Sequence, residues 1–580
     1  MNRRGVSAIA LGAVSSLALV GAGAGGHVSA AQATKGGVVV VAEAPQSAPD
    51  WFFPVLSSSG YASYNTEIIF LMYRPLIYLS PTNQVDYGRS LVSKISVNSS
   101  GTVYTLTLSH KYRWSNGRPI SAQDVVFTWD LIKDASTLHN APWAYGPAGS
   151  GGVPTDWSSV TAHGSNTVVV KLKSPANPQW FIHNGLSQIY PVPKSVWDKY
   201  PNNPIRELNM IKSVANSPTN ALYDVVDGPF KFQSMVPDQY WDLVPNPKFG
   251  GHKATISKLV FQYETSSASE FVGLRDGTIS VGYLPPSMWA SRKDLPNDVM
   301  SSSYLFGMNY MVPNLSPKAP DHVGQIFSNL YVRQALQMGI DEPAIVKSLY
   351  HGAGVVTDGP IPPTPKTAFY DPALSKLPYP FNPARGKKLL EAHGWRDVGG
   401  VMTKNGEKIE FTLLYSSGST TETSMVELLK SDWAREGIDV NLQSEPISEV
   451  LATASQSDAN KWQMVYWGGG WTYQLDYYPT GGDLFKAGAG ENMGGYDSPT
   501  MNRLIQATYD PGTPAQIQAR MDAYQVYAAK NLPVLWMPWF PMGYARVSGF
   551  NEHAKNVHGT VRYFNPTTDK PLANYWTVSS

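Results

Sequence analysis

One acid sits inside a short stretch that is otherwise mostly rings and glycine. Residues 467–479 read WGGGWTYQLDYYP. Trp467, Trp471, Tyr473, Tyr477 and Tyr478 supply aromatic surface, the glycines at 468–470 supply backbone freedom, and Asp476 carries the only charge. Rings of this kind wall ligand clefts, because they offer large contact area at small entropy cost. A carboxylate among them can accept charge-assisted hydrogen bonds from a cationic group, and a neighbouring ring such as Trp471 can add a cation–π attraction. Consecutive glycines let the backbone turn sharply and approach something closely. Read from the residues alone, Asp476 suits a turn or a helix cap as well as a ligand contact. Trp467, Trp471 and Tyr473 suit core or cleft wall equally.

Reaction chemistry is hard to find elsewhere. The chain has no cysteine, which removes disulfides, thiol nucleophiles, cysteine-ligated zinc and iron–sulfur centres. A lipoprotein anchor, which attaches to a cysteine, goes with them. The 11 histidines are scattered with no pair at i, i+4; His553 and His558 stand five apart without an acidic partner pattern. There is no G-x-S-x-G elbow, no G-x-x-x-x-G-K-[ST] loop and no H-E-x-x-H. The match GAGAGG at Gly21–Gly26 to a dinucleotide fingerprint has no strand before it and lies in a segment expected to be removed. No cofactor and no metal are expected. A carboxylate pair for glycoside cleavage would be distant in sequence, so a secreted glycan hydrolase stays open as the reading from a different class.

These residues need a scaffold. At 580 residues the chain exceeds the size at which one hydrophobic core stops growing, so two or more domains are expected. Charged residues make up 15%, against roughly 25% in ordinary soluble domains. The net charge of +1 offers no field for nucleic acid or an anionic membrane. Arg3 and Arg4, the apolar run Ala8–Val20 and the small residues closing on Ala30 form an export signal over 1–30. That run is too short for a membrane span. The mature chain is expected outside the cytoplasmic membrane, periplasmic or extracellular.

Periodicity predicts strands at Val38–Ala42, Thr102–Leu108 and Thr167–Lys173, and within the runs GPFKFQSM and ISKLVFQY. Asn116-Gly117 predicts a turn, and Ser121 with Asp124 predicts a capped helix carrying Val125, Trp129 and Ile132 on one face. Between 380 and 470 the pattern alternates. A helix starts at Asn382-Pro383 and stops at Gly394. EFTLLYS is a strand, ETSMVELLKSDWAREG a helix, IDVNLQS a strand, ISEVLATASQS a helix and WQMVYW a strand. Strand–helix–strand units want parallel neighbours, and open α/β sheets bind ligands beyond their strands' carboxyl ends. WGGGW begins at such an end.

Four blocks in order resemble extracellular solute-binding proteins of the peptide/nickel class, the dipeptide- and oligopeptide-binding proteins of ATP-driven importers. They are YTLTLSHKYRWSNGRPISAQDVVFTWDLI, DGPFKFQSMVPDQYWDLVPNPKF, NLYVRQALQMGIDEPAIVKSLYHGAGVVTDGPIPP, and WTYQLDYYPTGGDLF with GYDSPTMNRLI and LPVLWMP after it. Asn116 stands where the family usually has Asp, and LDYYPTG departs from its usual DYPDP. The resemblance implies an α/β, two-lobed, periplasmic-binding-protein-like body of the type II (venus flytrap) kind. Its main domain would comprise 34–66, 201–303 and 545–580, with a domain inserted at 67–200 and a second lobe over 304–544. Crossovers would fall near Ser301–Tyr310 and Leu532–Phe540. It further implies that Asp476 pairs with a peptide's α-ammonium, with Trp471, Tyr473 and Trp467 at the ligand, and that a monomer delivers peptide to a membrane permease without chemistry on it. Oligosaccharide, a nickel complex or another solute are the alternatives within the fold.

Overall fold

Side-chain alternation decides how this chain layers. The computed structural model describes residues 37–578 apart from 297, 299–303, 358, 377, 475 and 541–556. The export signal, residues 301–303 of the first expected crossover and residues 545–556 of the main domain lie outside the described residues.

Strand β1 (Val38–Ala42) opens the described chain. The next four strands are β2 (Val92–Val97), β3 (Val103–Leu108), β4 (Trp157–His163) and β5 (Thr167–Leu172). They make an antiparallel sheet in the order β2-β3-β5-β4. Tyr104, Leu106 and Leu108 of β3 are buried while the residues between them are half-buried, so the sheet shows one face to its core. Helix Ala122–Thr137 covers that face. Its start is a reciprocal cap: Ser121 Oγ accepts from Asp124 N, and Asp124 Oδ2 accepts from Ser121 N at 2.8 Å. Val125, Trp129 and Ile132 are buried along it. The chain then returns through β6 (Phe230–Val236), β7 (Tyr240–Pro245) and β8 (Lys258–Gln262), giving a second sheet, β1-β8-β7-β6, with β1 parallel to β8. One hydrophobic core joins both sheets, and Val557, Phe564 and Trp576 near the end of the chain belong to it.

A second body begins at β9 (Gly307–Pro313). A small antiparallel sheet of β10 (Arg396–Val398), β11 (Val401–Lys404) and β12 (Glu407–Lys408) precedes β13 (Glu410–Ser416). Helix Thr420–Ala434 then carries the chain to β14 (Asp439–Glu445), which lies parallel to β13. On the other side of β13, β15 (Met464–Tyr466) is also parallel. β9 runs antiparallel to β15 and is paired by β16 (Trp471–Thr472) and β17 (Leu535–Met537). Phe411, Leu413 and Tyr415 enter one core and Leu414 the other; Met464 and Tyr466 enter one and Val465 the other. A sheet covered on both faces reads as an unbroken apolar run, which is why EFTLLYS and WQMVYW look alike in the sequence. The strand–helix–strand expectation between 410 and 466 matches these elements. The 18-residue helix Pro514–Asn531, capped by Thr513 and Gln516, is absent from the sequence reading. Among the described residues no helix is long and apolar enough to cross a membrane.

The two bodies are joined twice. Leu305 packs in the first core and Phe306 in the second, so the outgoing chain crosses between them. After β17 the returning chain passes beside it: Trp539 Nε1 donates to the carbonyl of Leu305 at 2.8 Å, and Trp539 and Val355 exchange main-chain bonds at 2.8 and 2.9 Å. The substitution Ser121→Ala removes one half of the cap on helix 122–137. It should cost about 1 kcal/mol in chemical denaturation and leave the second body's unfolding transition in place.

Candidate functional site

The stretch that holds Asp476 does not stay with its own body. Its segment 474–478 is bound by side chains of the first. Asn184 Nδ2 donates to Asp476 Oδ1 at 2.5 Å and to the Tyr478 carbonyl at 3.2 Å, while Asn184 Oδ1 accepts from Tyr478 N at 2.7 Å. Asn83 Nδ2 donates to the Tyr477 carbonyl at 2.6 Å, and Gln188 Nε2 to the Gln474 carbonyl at 3.1 Å. The end of helix Pro499–Tyr509 is held in the same way. Asn177 donates through its main chain to Tyr509 O at 2.7 Å and through its side chain to Thr508 O at 2.8 Å. Trp180 stacks on Tyr509 with centroids 4.8 Å apart. Carboxamides suit this duty because one side chain offers a donor and an acceptor to a passing backbone.

Between these contacts lies a cavity of about 410 Å³, walled by both bodies. Its charged lining is Asp156 and Lys173 from the first body and Asp476, Asp483, Lys486 and Asp510 from the second. Asp476 is 6% exposed. Besides Asn184 it accepts from Thr480 N at 3.0 Å and Thr480 Oγ1 at 3.2 Å. Among the described residues no Lys, Arg or His pairs with Asp476 or Asp483 within 4 Å. Burial therefore holds the Asp476 carboxyl well above the usual carboxylate range, and the nearby charge of Asp483 pushes the same way; Asn184 and Thr480 pull only partly back. Asp483 is exposed, yet enough protein surrounds it to raise its carboxyl as well. A buried carboxylate with no cation is costly, and that cost is the physical cause of the raised Asp476 carboxyl. Lys173 and Lys486 are likewise without an ion-pair partner among the described residues; Lys486 Nζ stands 5.9 Å from the Tyr509 ring centroid. The cavity thus offers an acidic pair and two ammonium groups to a guest carrying both signs.

The other three singled-out residues lie apart from this cavity's lining. Trp471 sits on β16 against β9 and is half-buried. Trp467 is 8% exposed; its Nε1 donates to the Gly470 carbonyl at 3.2 Å and its ring meets Tyr310 edge-on. Tyr473 is fully buried, its hydroxyl donating to the Pro360 carbonyl and its main-chain N–H to Phe306 O at 2.9 Å. Tyr473 and Trp467 therefore brace the floor under residues 474–478. The glycines do approach something closely, and it is the protein itself. At Gly470 (φ +59°) a Cβ would lie 2.1 Å from the Met308 carbonyl of β9; at Gly468 (φ +76°) one would lie 1.9 Å from Glu422 Oε1. Asn184, Thr480, Asp483, Tyr509, Lys173 and Lys486 were not singled out from the sequence. Asp483 follows Asp476 by seven residues and was within reach of the same motif; nothing near Asn184 marks it. Among the described residues no three His, Asp or Glu side chains gather as a metal site.

The profile described as bacterial extracellular solute-binding proteins, family 5 Middle, matches residues 87–490. The chain is 23% identical over 441 residues to the oligopeptide-binding protein AppA of Bacillus subtilis, covering 75% of this chain and 74% of that one. It is 24% identical over 462 residues to the dipeptide-binding protein of Escherichia coli, covering 78% and 79%. The solved structure of Bacillus subtilis AppA in complex with a nonapeptide superposes with a TM-score of 0.70 at 20% identity, over 94% of this chain and 99% of that one. This last likeness establishes the two-lobed α/β fold.

Two glycine variants separate backbone strain from clash. At Gly488 (φ +75°) nothing lies within 4 Å of an added Cβ, so Gly488→Ala should cost about 1–2 kcal/mol, the price of the left-handed conformation. Gly470→Ala adds the collision with Met308 O and should cost clearly more in denaturant unfolding, with loss of protection at the β9–β16 amides in hydrogen exchange.

Proposed function

The chain belongs to the bacterial extracellular solute-binding proteins of family 5, and on that footing we propose that it captures short peptides between its two bodies and hands them unaltered to an ATP-driven membrane importer. The observation that carries the peptide reading is the buried Asp476 beside the exposed Asp483, both lining the inter-body cavity without an ion-pair partner among the described residues. An α-ammonium supplies the missing charge, with hydrogen bonds worth about 1.5–3 kcal/mol each. Lys173 and Lys486 receive the terminal carboxylate of a peptide short enough to keep both ends in the cavity. The relatives named for oligopeptide and dipeptide binding support this ligand class.

In this reading residues 1–30 direct export and are removed, and the protein works as a monomer in the periplasm or at the cell surface. A membrane permease is its protein partner, and nucleic acid and cofactors have no part. The first lobe comprises 34–66, 201–303 and 545–580 with 67–200 inserted, the second comprises 304–544, and the paired crossings at Leu305–Phe306 and Trp539 form the hinge. Closing is driven by contacts present only in the closed form, of which the ammonium–carboxylate contact is the largest. Trp471, the half-buried ring of the glycine stretch, lines the path of the peptide, with Tyr473 and Trp467 supporting it.

Calorimetry with Ala-Ala, N-acetyl-Ala-Ala and longer peptides tests this directly. Asp476→Asn keeps the shape but cannot carry charge, and its single amide oxygen can replace only one of the two acceptors that meet Asn184 and Thr480. It should weaken free-amine peptides by about 2–5 kcal/mol, some 30-fold to several-thousand-fold, and leave the fold intact. Unchanged affinity in that variant, or equal binding of the acetylated peptide, would refute the ammonium anchor.

A pH dependence follows with a definite sign. The groups around the Asp476 carboxyl are Asp483, Tyr473, Tyr509 and Tyr524, with Lys173 and Lys486 in the same cavity. The raised carboxyl binds a proton in the free site, and the incoming ammonium expels it. Affinity should therefore climb as pH rises toward that raised pKa, by up to tenfold per unit, and the binding heat should vary with the ionisation enthalpy of the buffer.

A further inference from the structure

Helix Pro499–Tyr509 ends in a side chain that meets both bodies at the cavity wall. The ring of Tyr509 is stacked by Trp180 of the first body, with centroids 4.8 Å apart and planes 30° from parallel. Its hydroxyl reaches Thr480 Oγ1 at 3.4 Å. Thr480 in turn donates twice to Asp476, through its main-chain N–H and through its hydroxyl.

We propose that Tyr509 is a positioning residue for the peptide anchor: its ring registers closure through Trp180, and its hydroxyl passes that state to the Asp476 carboxylate through Thr480. This role rests on the ammonium anchor proposed above and adds the residue that ties the anchor to closure.

Proton counting fixes the direction of the relay. The Thr480 hydroxyl has one proton, and an ionised Asp476 carboxylate, 3.2 Å away, can only accept it. One lone pair of the same oxygen accepts from Gly482 N at 3.2 Å. The other is left for Tyr509, so the phenol donates. Tyr509 keeps the proton that this needs: burial raises its phenol above the usual range, and the Asp476 charge pushes the same way. Each donor in such a row polarises the next, so the phenol strengthens the bond that Thr480 gives the carboxylate.

The loop after Asp476 is shaped to admit this hydroxyl. A Cβ at Gly482 would lie 2.0 Å from Tyr509 Oη, so only a residue without a side chain leaves the phenol its place. Packing alone asks nothing of the oxygen; a phenylalanine would offer Trp180 the same ring face.

The two ends of the relay belong to different bodies. The first body also fixes the end of the helix, Asn177 donating to the Tyr509 and Thr508 carbonyls at 2.7 and 2.8 Å. When the bodies part, Trp180, Asn177 and Asn184 go with the first, while Tyr509, Thr480 and Asp476 stay with the second. Tyr509 then loses the stack on its ring and the bonds to its backbone. The carboxylate is best prepared for an ammonium in the closed form, and by reciprocity a bound ammonium favours the stack.

The test is calorimetry with Ala-Ala on the mature full-length chain. Tyr509→Phe keeps the stack and removes the donor. Affinity should fall about fivefold, the worth of one neutral hydrogen bond. The pH at which affinity levels off should move upward, because the ionised Asp476 has lost support while Asp483, Tyr473, Tyr524, Lys173 and Lys486 are unchanged. Thr480→Val cuts the relay, so adding Tyr509→Phe to it should change affinity by less than about twofold. Trp180→Leu should lower affinity as well, and adding Tyr509→Phe to it should again cost less than about twofold. Parental affinity and pH profile in Tyr509→Phe, or its full loss on either second background, would overturn the relay. Asp476→Asn separates the two levels. If that variant binds Ala-Ala like the parent, anchor and relay both fall; if it weakens Ala-Ala while Tyr509→Phe does not, the relay alone falls.

Discussion

The carboxamide of Asn184 is the point on which the arrangement turns. It grips the second body by the side chain of Asp476 and by the backbone N–H and carbonyl of Tyr478, in one planar group. Through it Asp476 meets the first body where it walls the inter-body cavity, beside Tyr477 in that body's core. Asn83, Gln188 and Asn177 repeat the device along the same edge. None of these contacts is strong singly; a neutral hydrogen bond is worth about 1 kcal/mol net. Contacts of this size make a seam that can open, which a binding protein with two covalent crossings needs.

Against that seam stands a buried charge. Asp476 is held by donors suited to a carboxylate, yet burial and Asp483 both act to keep it protonated. Neither Asp476 nor Asp483 has an ion-pair partner among the described residues to offset this. Under the proposed function, a guest's ammonium would supply the contact of the right sign. Binding and closure then share one cause, because the cation is useful only where water has been excluded.

The glycine and aromatic stretch does different work from what its composition suggests. Its rings and close approaches serve β9, Glu422 and Pro360 of the second body. They stiffen the floor from which residues 474–478 project. Precision at the cavity comes from this bracing: a segment held by packed rings behind and by carboxamides in front has little freedom left.

Local patterns determined most of the scaffold. The capping pair Ser121 and Asp124, the turn at Asn116-Gly117 and the run from Glu410 to Glu445 carry their structure in residues close in sequence, so periodicity and end signals were enough. The ordered blocks around them were enough for the family and its two-lobed fold. Asp476 could be singled out as the acid of its stretch. What only the tertiary structure decided is what meets it. Asn184 lies 292 positions away, and Lys173 reaches the same cavity from a sheet with no sequence relation to the motif. Arg74 and Lys570 share a cavity across almost the whole chain. The depth at which Trp467 and Tyr473 lie was undecidable for the same reason. Burial and charge pairing depend on which distant surfaces the two crossings bring together, and no local pattern encodes that.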